Sequence, residues 1–179
     1  RAGEREKKEE SSGMAIDPRT PVIVGVGQTT RHWDPTTDAA TDAPSPRTLA
    51  ADAIRAALDD SGVASQIAPL IDRVVVVRTM LDSVTGAPQP FGRCAKPPAT
   101  LAADTGLNAR DAIYSVVGGD QPQALVGEAA EAIFAGQARA VLLAGAEATA
   151  AMKAALRAGL TLDWSGSAKA AQEDRGLGP

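Results

Sequence analysis

Residues 111–124 read DAIYSVVGGDQPQA. Ala112–Val117 is a short, apolar, β-branched run, the pattern of a strand buried on both faces. Pro122 then falls in the first turn of a helix, where a missing N–H costs nothing, and Asp120 stands where a cap belongs. The stretch is a strand that turns sharply into a helix. Such turns often carry a catalytic nucleophile at the tip. Here the tip is Gly118-Gly119-Asp120, with neither Ser nor Cys on it.

The same grammar extends in both directions. Downstream, Leu125, Ala129, Ala132 and Ile133 share one helix face, Gly136 ends the helix, and ARAVLLAGAEAT is a further strand. Upstream, PPATLAADTG is a short helix opened by Pro97-Pro98 and stopped by Gly106, preceded by a long Gly/Pro loop and the apolar strand IDRVVVVRTM. Before that, Ser45-Pro46 form a cap and first helical position. The helix they open places Leu49, Ala53 and Ala57 near one face and stops at Ser61-Gly62. PVIVGVGQT, from Pro21, reads as a first buried strand. The order β-α-β-α-β-α-β with short connections predicts an α/β fold, a mostly parallel central sheet between helix layers.

Bulk properties narrow the classes. The chain has 179 residues, enough for one core-bearing domain, with 44% hydrophobic but only 3% aromatic residues, so the core is built from Ala, Val, Leu and Ile. A net charge of −4 argues against a nucleic-acid binder, which needs a basic face. No apolar run approaches the ~20 residues that span a bilayer. The one cysteine, Cys94, forms no intrachain disulfide and suits a reducing, cytoplasmic setting; with one histidine, His32, it cannot assemble a zinc site of the usual ligands, so no metal is expected. Residues 1–19 begin as the charged run RAGEREKKEESSG and are expected to be a disordered extension or tag. Residues 20–150 form the α/β unit. Residues 151–179 start a loop and helical segment with no closing pattern, read as incomplete.

The order of elements, with these turns, resembles the N-terminal half of the thiolase superfamily, closest to its thiolase-like, sterol-carrier-type (acetyl-CoA acetyltransferase-like) branches. RTPVIVGVGQT looks like the family's opening strand, and KPPATLAADTGLNARDAIYSVVGG is similar to its short Asn-Pro-Ala-Arg-Gln helix and the strand that leads to the nucleophile. QALVGEAAEAIFAGQARAVLLAGAEA matches the next helix and strand, with Ala144-Gly145-Ala146-Glu147 where the family usually has Gly-Gly-Met-Glu. The resemblance implies an acyl-CoA ligand, acyltransferase chemistry in lipid or steroid metabolism, and no resident cofactor. It also implies a homodimer or a partner half, with the third strand pairing with its copy across the dimer.

In the family the turn reads Asn-x-x-Cys-x-Ser-Gly, with the Cys at a helix N-terminus. There the helix-end N–H groups and dipole favour a thiolate that carries the acyl group. Aligning Gln123-Ala124 with the residues after that turn puts Gly118 at the nucleophile, Ser115 at the Asn and Asp120 at the Ser. A glycine forms no thioester, so the match implies the fold and argues against the family reaction. Four functions remain: an acyl-CoA-binding or -using thiolase-like protein, a C–C lyase (aldolase) on a hydroxyacyl-CoA, a non-catalytic CoA-binding or interaction module, and, last, a nucleotide-binding domain.

Individual residues each read two ways. Gly118 and Gly119 offer backbone N–H groups for an oxyanion hole, or simply allow a tight turn with φ > 0. Tyr114 is a candidate general acid, or a packed tyrosine with a satisfied hydroxyl. Cys94 acts only if its loop folds back over Gly118; otherwise it is a redox-inert loop thiol. Gly25-Val-Gly27 has the look of a dinucleotide loop, but the helix opens far downstream at Ser45, which favours a packing role. His32 matches no motif.

Overall fold

The computed structural model describes residues 16–86 and 88–178. The expected disordered extension therefore lies outside the described residues up to position 15. Its last residues form a turn in which Thr20 N–H donates to Asp17 O at 2.8 Å and Arg19 pairs with Asp17.

The elements are α1 (Pro46–Asp60), α2 (Ala64–Ile67), β1 (Ile71–Val76), α3 (Pro97–Asp104), β2 (Asp111–Tyr114), α4 (Gln121–Phe134), β3 (Ala140–Ala144), α5 (Thr149–Arg157) and β4 (Glu173–Asp174). The strands form one parallel sheet in the order β3-β1-β2-β4. From β1 the chain crosses through α3 to β2, then through α4 back past β1 to β3. The chain leaves β1 toward the face that carries α3 and leaves β2 toward the face that carries α4, so the connections diverge between the carboxyl ends of β1 and β2. That is the place where open α/β sheets hold ligands.

Alternation along β1 divides the core. Val74 and Val76 face α1 and α3, packing with Ala50, Ile54, Leu101 and Tyr114, whereas Val75 joins Ile113 and Leu125 of α4 on the other face. α1 starts as expected: Ser45 accepts from Thr48 N–H, and Thr48 Oγ1 accepts from Ser45 N–H, a closed capping box with Pro46 behind it. Asp120 occupies the cap position of α4, but its side chain makes no capping hydrogen bond.

Two expectations change. Pro21–Thr29 takes no regular secondary structure, no strand among the described residues pairs with it, and Val22, Ile23, Val24 and Val26 are exposed. The segment lies on α1. A Cβ on Gly25 would collide with the Ala57 carbonyl and one on Gly27 with that of Ala53, and Val26 N–H donates to Asp60 Oδ2 at 2.9 Å. The glycines allow backbone-to-backbone approach, so the packing role holds while the strand does not form. The second change is at the sheet edge. The outer side of β2, which the resemblance assigns to a copy across a dimer, is covered by β4 of the same chain, Ile113 opposite Glu173 and Tyr114 opposite Asp174. Among the described residues no helix is long and apolar enough to cross a membrane.

Candidate functional site

Gly118, Gly119 and Asp120 form the turn between β2 and α4 and are exposed. Neither glycine has a positive φ, so the tight-turn reason for them does not apply. Space bears on Gly118 alone, since a Cβ on Gly119 would meet nothing within 4 Å. A Cβ on residue 118 would lie 2.6 Å from Asp120 Oδ1 and 3.2 Å from Gln121 Cγ, so a side chain there would have to displace the end of the exposed Asp120 side chain. Gly118 O accepts from Gln121 N–H at 3.2 Å, and among the described residues no acceptor takes the N–H of Gly118 or Gly119. Those two groups stay available to an incoming oxygen.

Just before the turn, Ser115 is fully buried, with its hydroxyl accepting from Arg78 N–H at 3.0 Å and donating to Val116 O at 2.8 Å. Tyr114 is 2% exposed. Its hydroxyl accepts from Thr79 N–H at 3.1 Å and donates to Asp82 Oδ2 at 2.8 Å, while Arg78 lies over its ring at 4.3 Å. Burial raises its pKa to about 12. Tyr114 thus faces inward and pins the 79–83 turn to the sheet.

Glu147 entered the sequence reading only as the end of the Ala144-Gly145-Ala146-Glu147 match and Asp82 not at all, because no motif spacing joins the two. Asp82 closes the loop after β1 and accepts from Arg93 and Tyr114. Glu147 follows β3, and its Oε1 accepts from Met80 N–H at 2.6 Å. Glu147 is exposed, yet enough protein crowds its carboxylate that desolvation, with the Asp82 charge behind it, raises its pKa despite the Met80 hydrogen bond. Both carboxylates stand at the carboxyl ends of β1 and β3, whose loops the Met80–Glu147 hydrogen bond joins.

Beside them lies a cavity of about 60 Å³, lined mainly by apolar groups, with Asp82, Arg47, Arg93 and Cys94 at its polar points and Trp164 as a wall. The buried Nε1 of Trp164 has no hydrogen-bond partner among the described residues. Arg47 is held by Asp104 through paired hydrogen bonds, Nε to Oδ2 at 2.5 Å and NH2 to Oδ1 at 2.7 Å. Cys94, partly buried, therefore meets this cavity and pairs with Gly166, while Gly118 lies outside it. His32 is exposed beside Asp34. Among the described residues no group of three or more His, Cys, Asp or Glu could hold a metal.

No family model matches the chain, and no curated protein does. A solved structure does: a monomeric SCP2-thiolase like protein type 1 from Mycobacterium smegmatis, with 34% sequence identity and a TM-score of 0.56. The match takes in 72% of this chain and 24% of the other, so the chain spans about a quarter of that protein's length. Strand order, helix placement and this likeness agree: the chain has a thiolase-like fold of the SCP2 type.

Proposed function

We propose that the chain belongs to a protein that binds or acts on an acyl-CoA in lipid or steroid metabolism, in the cytoplasm, without passing through a cysteine thioester. The observation that supports this is the turn after β2: Gly118 has no side chain, and Asp120 Oδ1 lies 2.6 Å from where a Cβ would sit. An anionic carboxylate there also competes with any thiolate for the start of α4. What remains are the N–H groups of Gly118 and Gly119, without an acceptor among the described residues and suited to an acyl oxygen, and an apolar cavity at the carboxyl end of β1. A partner half is expected over α4, where Val126 and Phe134 are 50% and 47% exposed.

The test has two arms. Calorimetry against CoA and an acyl-CoA should give a binding heat; no heat from either ends the proposal. Intact-mass analysis after incubation with acetyl-CoA should show no stable adduct. A hydroxylamine-sensitive acetyl group, on Cys94 above all, would overturn the thioester-free reading.

The carboxylates Asp82 and Glu147 favour a second reading, a C–C lyase on a hydroxyacyl-CoA. Glu147, whose pKa desolvation raises, is a carboxyl suited to an acid or base role near the cavity. Release of an aldehyde or ketone from a hydroxyacyl-CoA, lost in Glu147→Gln, is the outcome that reading requires.

A further inference from the structure

We infer that the cavity beneath α1 and α3, with the polar cleft that adjoins it at Arg47 and Trp164, binds an aliphatic alcohol. The end of the alkyl chain enters the cavity and the hydroxyl stays in the cleft. Aliphatic probes carry no CoA, so failure of this site and failure of the acyl-CoA reading are told apart.

The cavity lies on one face of the sheet. Ala50 of α1, Val76 of β1 and Leu101 of α3 line it together with Ala146, and no residue of α4 does. Its charged groups are already engaged: Asp82 accepts from Arg93 at 2.8 Å, and Arg47 donates to Asp104 through two hydrogen bonds. The walls therefore offer apolar contact and give a buried charge no new partner. The cavity's volume of about 60 Å³ equals roughly two waters at ~30 Å³ each. About two or three carbons at the end of a chain fill such a space.

Outside it, a cleft of about 440 Å³ shares Ser45, Arg47 and Trp164 with the cavity. The arginines of this cleft are taken: Arg47 pairs with Asp104 and Arg55 with Asp52. Asp163 differs. It is exposed, pairs with no cation among the described residues, and there accepts only from Ser165. Beside it Trp164 carries a buried indole N–H with no acceptor among the described residues. An edge-on contact with Phe91 at 5.3 Å packs the ring, so turning its N–H toward the cleft breaks no hydrogen bond. Asp163 lacks a donor and Trp164 an acceptor. A hydroxyl supplies both, whereas a carboxylate only accepts and an ammonium only donates. A carboxylate would also meet the charge of Asp163.

Cys94 lines the cavity and is the one cysteine, so its alkylation reports occupancy. In the full chain, 1-hexanol should slow iodoacetamide labelling of Cys94 and saturate, with the urea-unfolded chain as control for the reagent. From 1-butanol to 1-hexanol the affinity should rise about fourfold per methylene, the gain that about 0.8 kcal/mol per buried methylene gives. Hexanoate and hexylammonium should leave the rate unchanged at the hexanol concentration that halves it. No slowing by hexanol, or equal slowing by either ion, overturns the inference. Ala146→Leu fills the cavity and should abolish the hexanol effect; a folded variant that hexanol still protects puts the alcohol elsewhere and also overturns it. Where that variant does not fold, the contrast among the three probes in the parent decides alone.

Discussion

Tyr114 donates to Asp82 at 2.8 Å across a sequence separation of 32, joining the end of β2 to the turn that follows β1. The same hydroxyl accepts from Thr79 N–H. One side chain therefore fixes the loop that forms the rim of the cavity.

Tyr114→Phe should cost about 1–3 kcal/mol, because Asp82 and the Thr79 amide lose a partner in a partly buried place. Urea unfolding measures the loss, and faster exchange of the Thr79 amide locates it. A variant as stable as the parent, with that amide equally protected, would show that the hydroxyl holds nothing.

Tyr114 is the one tyrosine in the chain, so its titration is directly visible. Its folded pKa, pushed up to about 12 by burial, exceeds the ordinary value of 10.0. The stability linked to the protonated phenol is complete below the ordinary value and is lost as pH rises toward the folded one. Tyrosinate absorbance should therefore appear late and together with alkaline unfolding. A reversible rise near pH 10 in the folded protein would contradict the burial.

Glu147 has the same sign at acid pH. Its raised pKa means that its contribution is present below the ordinary carboxylate range and fades as pH climbs through the folded value. Glu147→Gln should gain on the parent as pH rises from 4 to 8, with a shallow slope because the exposed side chain is screened by solvent. Urea midpoints across that range measure it, and a gap that does not change with pH counts against the shift.

A thiol placed at the turn tests the role of Asp120. In a Cys94→Ser background, Gly118→Cys should alkylate with a higher apparent pKa than Gly118→Cys combined with Asp120→Ser, since the carboxylate opposes the thiolate. The pH dependence of the iodoacetamide rate reads both. Equal values would mean that Asp120 swings away from the thiol.

Gly27→Ala should destabilise by about 1–3 kcal/mol, because its Cβ meets the α1 backbone, which cannot step aside as a flexible side chain would. Thermal unfolding and faster proteolysis within Pro21–Thr29 are the readouts. An unchanged protein would mean that the segment does not rest on α1.

Local chemistry made much of this fold legible. Ser45-Pro46 announces α1, the glycines at 62, 106 and 136 stop their helices with φ of 67°, 71° and 71°, and the valines of β1 declare a strand buried on both faces. Pro21–Thr29 has the same apolar composition, but composition cannot say whether a pairing strand stands beside it. Glu173-Asp174 carries no strand signal at all; its pairing is decided by the β2 edge and by Arg78, both distant in sequence. At the site, the sequence places Gly118-Gly119-Asp120 in the turn between a strand and a helix, and the structure has them between β2 and α4. Glu147 was legible only as part of a matched strand end, and its nearness to Asp82 was not, because only the sheet brings the loop after β1 beside the end of β3.

The stretch Pro21–Thr29 has a consequence for the protein in bulk solution. Its exposed aliphatic side chains, and a backbone that pairs with no strand among the described residues, form a template for another segment, and each copy that docks through a different surface arrives with its own template vacant. Growth of that kind has no closing step. It would lag, respond to seeding and steepen with concentration, and a lysine in place of Val24 is the smallest change that should lengthen the lag.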